Sequence, residues 1–176
     1  MGLALFLADD LQSIRNMTMS YLMSVSSLGY VTRLESDADY LNLLTRKIFH
    51  SGFNKTLVNQ KWDAFEELFH GFDVQRVATM TNQEVVGLLT DKRIVRHRKK
   101  IAATIWNAQQ FLSISTDHGS WMNWLASLRL YPYEQRADTL MALFKHCGPN
   151  TIFYFLLEAG EAVWEDKPDH VKGPTD

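Results

Sequence analysis

The chain has 176 residues, a formal net charge of -2, a pI near 6.3 and 46% apolar residues. That length and apolar content fit one compact domain with a real core and exclude a mostly disordered chain. The mild acidity excludes a wholly basic coat for nucleic acid, although a local basic face is enough for a protein that touches a short stretch of DNA. The single cysteine, Cys147, can form neither an internal disulfide nor a multi-thiolate metal site, and a cytoplasmic or nucleoid setting is the simplest expectation.

The apolar run within residues 1–8 is too short to span a bilayer and has no basic segment before it, so neither a membrane anchor nor a secretory signal is expected. Residues 1–35 form an N-terminal segment of uncertain structure, in which Met17, Met19, Tyr21, Leu22, Met23 and Val25 suit a packed helix or an extended arm. Ser36 or Asp37 then caps a helix to about Ser51, with Tyr40, Leu41, Leu44, Ile48 and Phe49 at helical spacing. Gly52 interrupts, and a helix from Asn54 carries Leu57, Val58, Trp62, Phe65, Leu68 and Phe69. Gly71 and Asp73 mark the next turn and cap, and Thr81-Asn82-Gln83-Glu84 fits a capping box ahead of Val85, Leu88 and Leu89.

A long helix is predicted from Arg96 to Ile114, with Ile101, Ile105, Ala108, Phe111 and Leu112 inward. Gly119-Ser120 ends it and caps a short helix with Trp121, Trp124, Leu125 and Leu128, which Tyr131-Pro132-Tyr133 breaks. Asp138 or Thr139 is expected to cap a helix from Leu140 to about Lys145. After the turn around Gly148, Thr151 to Ala159 forms another helix, closed by Gly160. From Trp164 onward, residues 164–176 read as a polar tail. No run alternates with period two, so the fold class is all-α, with residues 36–163 as one helical domain that divides, as bundles do, into halves around a cleft.

Two segments carry chemistry. The hairpin from Leu140 to Gly160 exposes backbone N–H groups at the start of its second helix, and these suit a phosphate. Lys145, His146, Gly148, Asn150 and Thr151 surround that turn. Taken alone the turn is ordinary, since any helical hairpin needs one. The second segment is Lys92–Lys100, in which six of nine residues are Lys or Arg. Arg96, Arg98 and Lys99 there stand at a helix start, where positive charge opposes the dipole unless an anion is bound. A solvated helix start is the plain alternative.

Phe69-His70-Gly71-Phe72-Asp73, Val77-Ala78-Thr79-Met80, Arg93 through Ile101 and Asn107-Ala108 occur in the order and spacing of the DNA-3-methyladenine glycosylase I family, which this chain therefore resembles. Phe144 through Thr151, continuing through Phe155 to Gly160, resembles that family's helix-hairpin-helix, and the likeness covers about residues 40–160. The resemblance implies an all-α helix-hairpin-helix glycosylase fold, double-stranded DNA with a damaged base as partner, a monomer, and base excision repair of alkylated purines such as 3-methyladenine. An alkylated adenine is cationic and leaves easily, so flipping and an aromatic pocket matter more than strong acid catalysis.

The resemblance also implies site residues. The family's base-recognising Glu falls on Lys47 and its stacking Trp on Lys55. Phe49, Phe53, Trp106 and Tyr154 are the aromatic candidates near the cleft, with packing in the core as the alternative for each. Simple solvent exposure is the alternative for both lysines. The lyase Lys position of more distant relatives falls on Asn150, which implies a monofunctional hydrolase. Their catalytic Asp falls within one residue of Asp169, ahead of the weaker candidates Asp166 and Glu158. No metal or cofactor is expected: no histidine precedes His50, no cysteine precedes Cys147, and Pro174 follows Asp169-His170-Val171-Lys172-Gly173 where the family's last zinc ligand stands. A relative that binds DNA without base excision, and a protein-interaction module without DNA binding, are the competing readings.

Overall fold

The computed structural model describes residues 34–162 and 166–169. The expectations for the N-terminal arm and for residues 170–176 lie outside the described residues. Among the described residues the chain is helical throughout, with no strand. The helices are α1 (Asp37–His50), α2 (Lys55–Gln60), α3 (Trp62–Leu68), α4 (Val74–Ala78), α5 (Asn82–Thr90), α6 (Arg98–His118), α7 (Trp121–Ser127), α8 (Tyr133–Leu143) and α9 (Pro149–Glu158).

The caps explain most boundaries. The Ser36 and Asp39 side chains form a capping box on α1, and Thr81 and Glu84 form one on α5. Asn54, Asp73 and Ser120 each accept a backbone N–H of the helix that follows. At the end of α9, Gly160 at φ 72° lets its own N–H reach the Leu157 carbonyl at 3.1 Å and the Glu161 N–H reach Leu156 at 2.7 Å, which satisfies two orphan carbonyls.

Four boundaries differ from the sequence expectation. The helix predicted from Asn54 to Phe69 is two helices, α2 and α3, bent at Lys61. α6 begins at Arg98, because the His97 imidazole takes the cap position, and runs past Ile114 to His118. α8 begins at Tyr133, directly after Pro132. Asp138 and Thr139 therefore lie inside the helix, where the Thr139 hydroxyl donates back to the Gln135 carbonyl at 2.8 Å. Pro132 ends one element and starts the next, since a proline is pre-set for a helix start. α9 likewise begins at Pro149, two residues before Thr151.

α1 is the central element and packs against α2, α4, α6, α9 and the turn after α3. Two aromatic clusters flank it. Trp62, Phe65, Phe69 and Phe72 stack with ring centroids 4.7 to 6.1 Å apart, and Phe49 meets Phe65 edge-on at 4.7 Å. On the other side Phe111, Trp121 and Phe144 stack at 4.2 to 5.4 Å beside Tyr40. Asp37 joins this side to the start of α1 by accepting the Trp121 N–H and the Ser115 hydroxyl. Buried Glu161 ties the end of α9 to Arg129, whose guanidinium donates at 2.9 and 2.6 Å.

The turn after α3 holds three consecutive residues in the left-handed region: His70, Gly71 and Phe72, with φ of 56°, 64° and 58°. Two of them carry side chains, at a cost of about 1–2 kcal/mol each. Complete burial of Phe72 between Trp62 and Phe69 offsets that strain. Replacing Phe72 by Ala keeps the strain and empties the stack, so urea unfolding is expected to show a loss of about 3–5 kcal/mol.

Candidate nucleic-acid interface and base-recognition site

The hairpin consists of α8, a turn over residues 144–148, and α9. The left-handed residue of the turn is His146, at φ 59°, while Gly148 has an ordinary φ of -80°. A Cβ built on Gly148 meets nothing within 4 Å. Neither backbone strain nor protein packing therefore requires a glycine there. Because α9 starts at Gly148 without a side-chain cap, helix geometry leaves the Asn150 and Thr151 N–H groups without intrahelical acceptors. Lys145, His146, Gly148 and Asn150 border the turn on its open side. Thr151 is 5% exposed, and the donor that helix geometry leaves unpaired there is its backbone N–H. Asn107 of α6 holds the turn by a reciprocal pair with the Lys145 backbone, at 2.9 and 3.2 Å. The Lys145 ammonium sits 3.4 Å above the centre of the partly exposed Trp106 ring.

The basic segment lies beside this turn. His97, capping α6, faces His146 at 6.3 Å between ring centroids and Phe53 at 5.7 Å. Burial, then the charges of Lys100, His97 and Lys99, lower the His146 pKa, which places the turn in the field of the α6 start. Arg96, Arg98 and Lys99 line the outer side of that start. Arg93 is not free in the same way, because its guanidinium is forked between Asp91 and Glu67 at 2.9 to 3.2 Å. Lys100 turns inward: its ammonium donates to the carbonyls of Ile48, at 2.6 Å, and Ser51, and lies 4.7 Å from the Phe53 ring centre. It thus caps the C-terminal end of α1 and fastens the loop carrying Phe53 and Lys55 to the start of α6.

Lys47 is not the solvated residue that its type suggests. It is 9% exposed and its ammonium bonds directly to the Glu158 carboxylate of α9. Burial lowers its pKa, and the Glu158 charge opposes that shift. One helical turn earlier on α9, the Tyr154 ring lies 5.6 Å under the exposed Lys55 ammonium. Lys47 and Lys55 therefore converge on the same face of the second hairpin helix. His50, one turn after Lys47, donates from Nε2 to the Asn59 Oδ1 at 2.8 Å. Burial pushes its pKa down to about 4, a hydrogen bond to Asn59 opposes this, and the charges of Lys47, Lys55 and Arg46 lower it further. At neutral pH His50 is uncharged, and Glu158 is the carboxylate facing Lys47.

Phe49 is a correction to the sequence reading: it is completely buried between Phe65 and Lys100 and cannot stack on a base. Phe53 is half-buried at the rim. Asp169 lies on an exposed turn. Burial and then the charge of nearby Asp166 raise the Tyr133 pKa to about 12, which sets that segment near the start of α8. Among the described residues the family's zinc chemistry has no fit. Cys147 is buried, its thiol pKa is raised by burial and its Sγ contacts the Lys145 carbonyl at 3.4 Å. Among the described residues no three His, Cys, Asp or Glu side chains are grouped to hold a metal.

The partnership of Lys47 with Glu158 spans 111 positions and no sequence period reveals it. The role of Lys100 is hidden inside a charge run. The low pKa of His50 has a sign that can be tested. The unfolded imidazole titrates near 6.5, so the unfolded state binds more protons between about pH 6.5 and 4 and stability falls as pH drops through that window. A His50→Gln variant is expected to show a flatter fall in urea midpoint over the window, and an NMR titration is expected to place the His50 midpoint near 4.

Comparison with known proteins agrees with this fold. Residues 30–147 match the family model described as methyladenine glycosylase. DNA-3-methyladenine glycosylase 1 of Escherichia coli (strain K12) is 32% identical over 91 residues, covering 51% of this chain and 49% of that protein. DNA-3-methyladenine glycosylase of Haemophilus influenzae is 30% identical over 64 residues, 36% and 35% of the two chains. The matched region thus spans about half or less of these curated relatives. A structure of 3-methyladenine DNA glycosylase I from Staphylococcus aureus, solved for the basis of 3-methyladenine recognition, superposes with a TM-score of 0.68 at 29% identity over 80% of this chain and 88% of that one. A variant of 3-methyladenine DNA glycosylase I in complex with 3-methyladenine gives 0.67, again at 29% identity, covering 80% and 89%. With two thirds of its length inside the family model and this fold, the chain belongs to the methyladenine glycosylase family.

Proposed function

We propose that the protein is a monofunctional DNA glycosylase that flips a damaged purine out of duplex DNA and hydrolyses its N-glycosidic bond, the alkylated purines such as 3-methyladenine being the class for which its relatives are named. The observation that carries this reading is the meeting of the open α9 start with the basic start of α6, joined through His97 and His146. Backbone donors, Lys145, Arg96, Arg98 and Lys99 then face one short run of phosphates, and the net acidity of the chain is no obstacle.

The division of labour follows from bond strength. A damaged base that pairs poorly unstacks at lower cost, and an alkylated one is already a good leaving group. The chain then needs a site for the extruded base and one carboxylate near the sugar. Lys47, Lys55, Tyr154 and Glu158 supply the site. Asp169 is the carboxylate assigned to activate water or stabilise the oxocarbenium ion. Asn150 at the turn has no amine for a Schiff base, which supports hydrolysis without strand cleavage. The working unit is taken as a monomer acting in the cytoplasm, at the nucleoid. None of the described helices is long and apolar enough to cross a membrane.

A second reading is favoured by one observation. Lys47 and Lys55 set two cations at the base site, and a cationic base is repelled there; a protein that grips damaged DNA without excision has the same interface. Alkali-revealed abasic sites in methylated duplex distinguish the two: release of a base is expected, and duplex binding without any release selects the second reading. Gly148→Ala is expected to shift the unfolding free energy by less than about 1 kcal/mol, since the added Cβ meets no protein atom and Ala is only a poorer helix cap. Its affinity for duplex is expected to fall at least about tenfold in a fluorescence anisotropy titration, because the methyl stands where a phosphate approaches. Asp169→Asn is expected to keep duplex affinity and lose at least about a hundredfold in base release under single turnover.

A further inference from the structure

We infer that Trp106 is a positioning residue for duplex binding, whose ring holds the Lys145 ammonium in place for a phosphate at the hairpin turn. This rests on the proposed function, because it takes the turn over residues 144–148 to the DNA backbone.

Trp106 belongs to neither aromatic cluster of the core and is 38% exposed. What its ring meets is the Lys145 ammonium, 3.4 Å above the ring centre, a cation on an aromatic face. That face is therefore taken by a lysine and is not offered to a base. The indole N–H donates to the Leu143 carbonyl at 3.5 Å, which orients the ring beside the end of α8. The next residue of α6, Asn107, grips the Lys145 backbone: its Oδ1 accepts the Lys145 N–H at 2.9 Å, and its amide donates to the Lys145 carbonyl at 3.2 Å. Neighbouring residues of α6 thus hold one residue of the turn, Asn107 by its backbone and Trp106 by its side chain.

The benefit of that grip is entropic. A lysine has a flexible four-carbon stem, and it loses rotamer freedom when its ammonium settles on a phosphate. A ring that already holds the ammonium removes part of that loss before the duplex arrives. The charge also stays available. Arg93 is neutralised by Asp91 and Glu67, whereas an aromatic face supplies no counter-ion. An ammonium carries three N–H donors, so one side can lie on the ring while the other meets a phosphate oxygen. Lys145 is exposed, three residues before Gly148 and the start of α9.

The test uses the full chain and a labelled duplex with a stable abasic analogue. Trp106→Leu is expected to weaken duplex affinity about two- to fivefold, the worth of an exposed cation–ring contact. It is expected to leave the slope of log affinity against log salt unchanged, because no charge is lost. Retention of the Lys145 amide chemical shift checks that the turn is intact. Trp106→Phe, which keeps a ring face, is expected to recover most of the loss. Lys145→Met is expected to weaken binding and to reduce the salt slope by about one. In that background Trp106→Leu is expected to change affinity by less than about 1.5-fold, since the two residues act as one unit. In the protein without DNA, the Lys145 ε-methylene protons are expected upfield of an ordinary lysine by ring current, and to return in Trp106→Leu. Trp106→Leu binding as well as the unaltered chain or more tightly, an equal loss in the Lys145→Met background, or an unshifted ε-methylene overturns the inference alone. No duplex binding by the unaltered chain removes the proposed interface together with it. The expected pattern of affinities without any base release sustains the inference and removes the excision reading.

Discussion

The buried ammonium of Lys100 is the contact on which the working face of this protein depends. Taking an ammonium out of water costs several kcal/mol, and among the described residues no carboxylate is paired with it. The compensation is the negative end of α1, two of whose terminal carbonyls accept from Nζ, together with the faces of Phe53 and Phe49. Burial lowers the pKa of Lys100, as expected for an amine held mainly by dipoles. The result is mechanical. The last turn of α1, the first turn of α6 and the loop between α1 and α2 are fastened at one point. Every element of the proposed interface is attached to that point: His97 and Lys99 flank Lys100 in sequence, Phe53 lies on it, and His146 of the hairpin turn reaches it through His97.

Fixing α1 in this way also fixes its inner face against α9. The hairpin helix therefore has two ends with different electrostatics. Its N-terminal end presents free backbone donors to solvent beside a basic strip. Its C-terminal end is occupied by a lysine–glutamate pair, with a second lysine over a tyrosine ring. Phosphate binding needs only the first. Discrimination between bases is proposed for the second, where Lys47 and Lys55 meet α9.

Much of this is legible in the sequence because it is local. Capping boxes at Ser36 and Thr81, the left-handed Gly119 and Gly160, and the apolar spacing of α1 and α6 are set within a few residues of one another. Pro132 reads in sequence as an interruption and in fact takes the cap position just ahead of α8, an ambiguity of proline that short-range signals do not resolve. Phe49 escapes the sequence for a different reason: it stands two residues from Lys47 on the same helix, and only the rotation of α1 decides that its ring faces the core. The Lys47–Glu158 contact and the inward turn of Lys100 depend on helices that meet from opposite halves of the chain. Residue type argues for solvent in both cases. The segment-by-segment resemblance brings those halves together as a family. It points to Lys47 and Lys55 without the partners that neutralise or stack on them.

The central claim is that one continuous face, from the hairpin turn to the far end of α9, holds damaged duplex DNA. Amide and side-chain chemical-shift mapping with a short duplex containing a stable abasic analogue tests it most directly. The account predicts perturbations at Lys99, Asn150 and Thr151 that spread to Tyr154 and Lys47 when free base is added to the complex. Perturbations centred instead on the exposed Leu130 and Tyr131, on the face between α7 and α8, would contradict it.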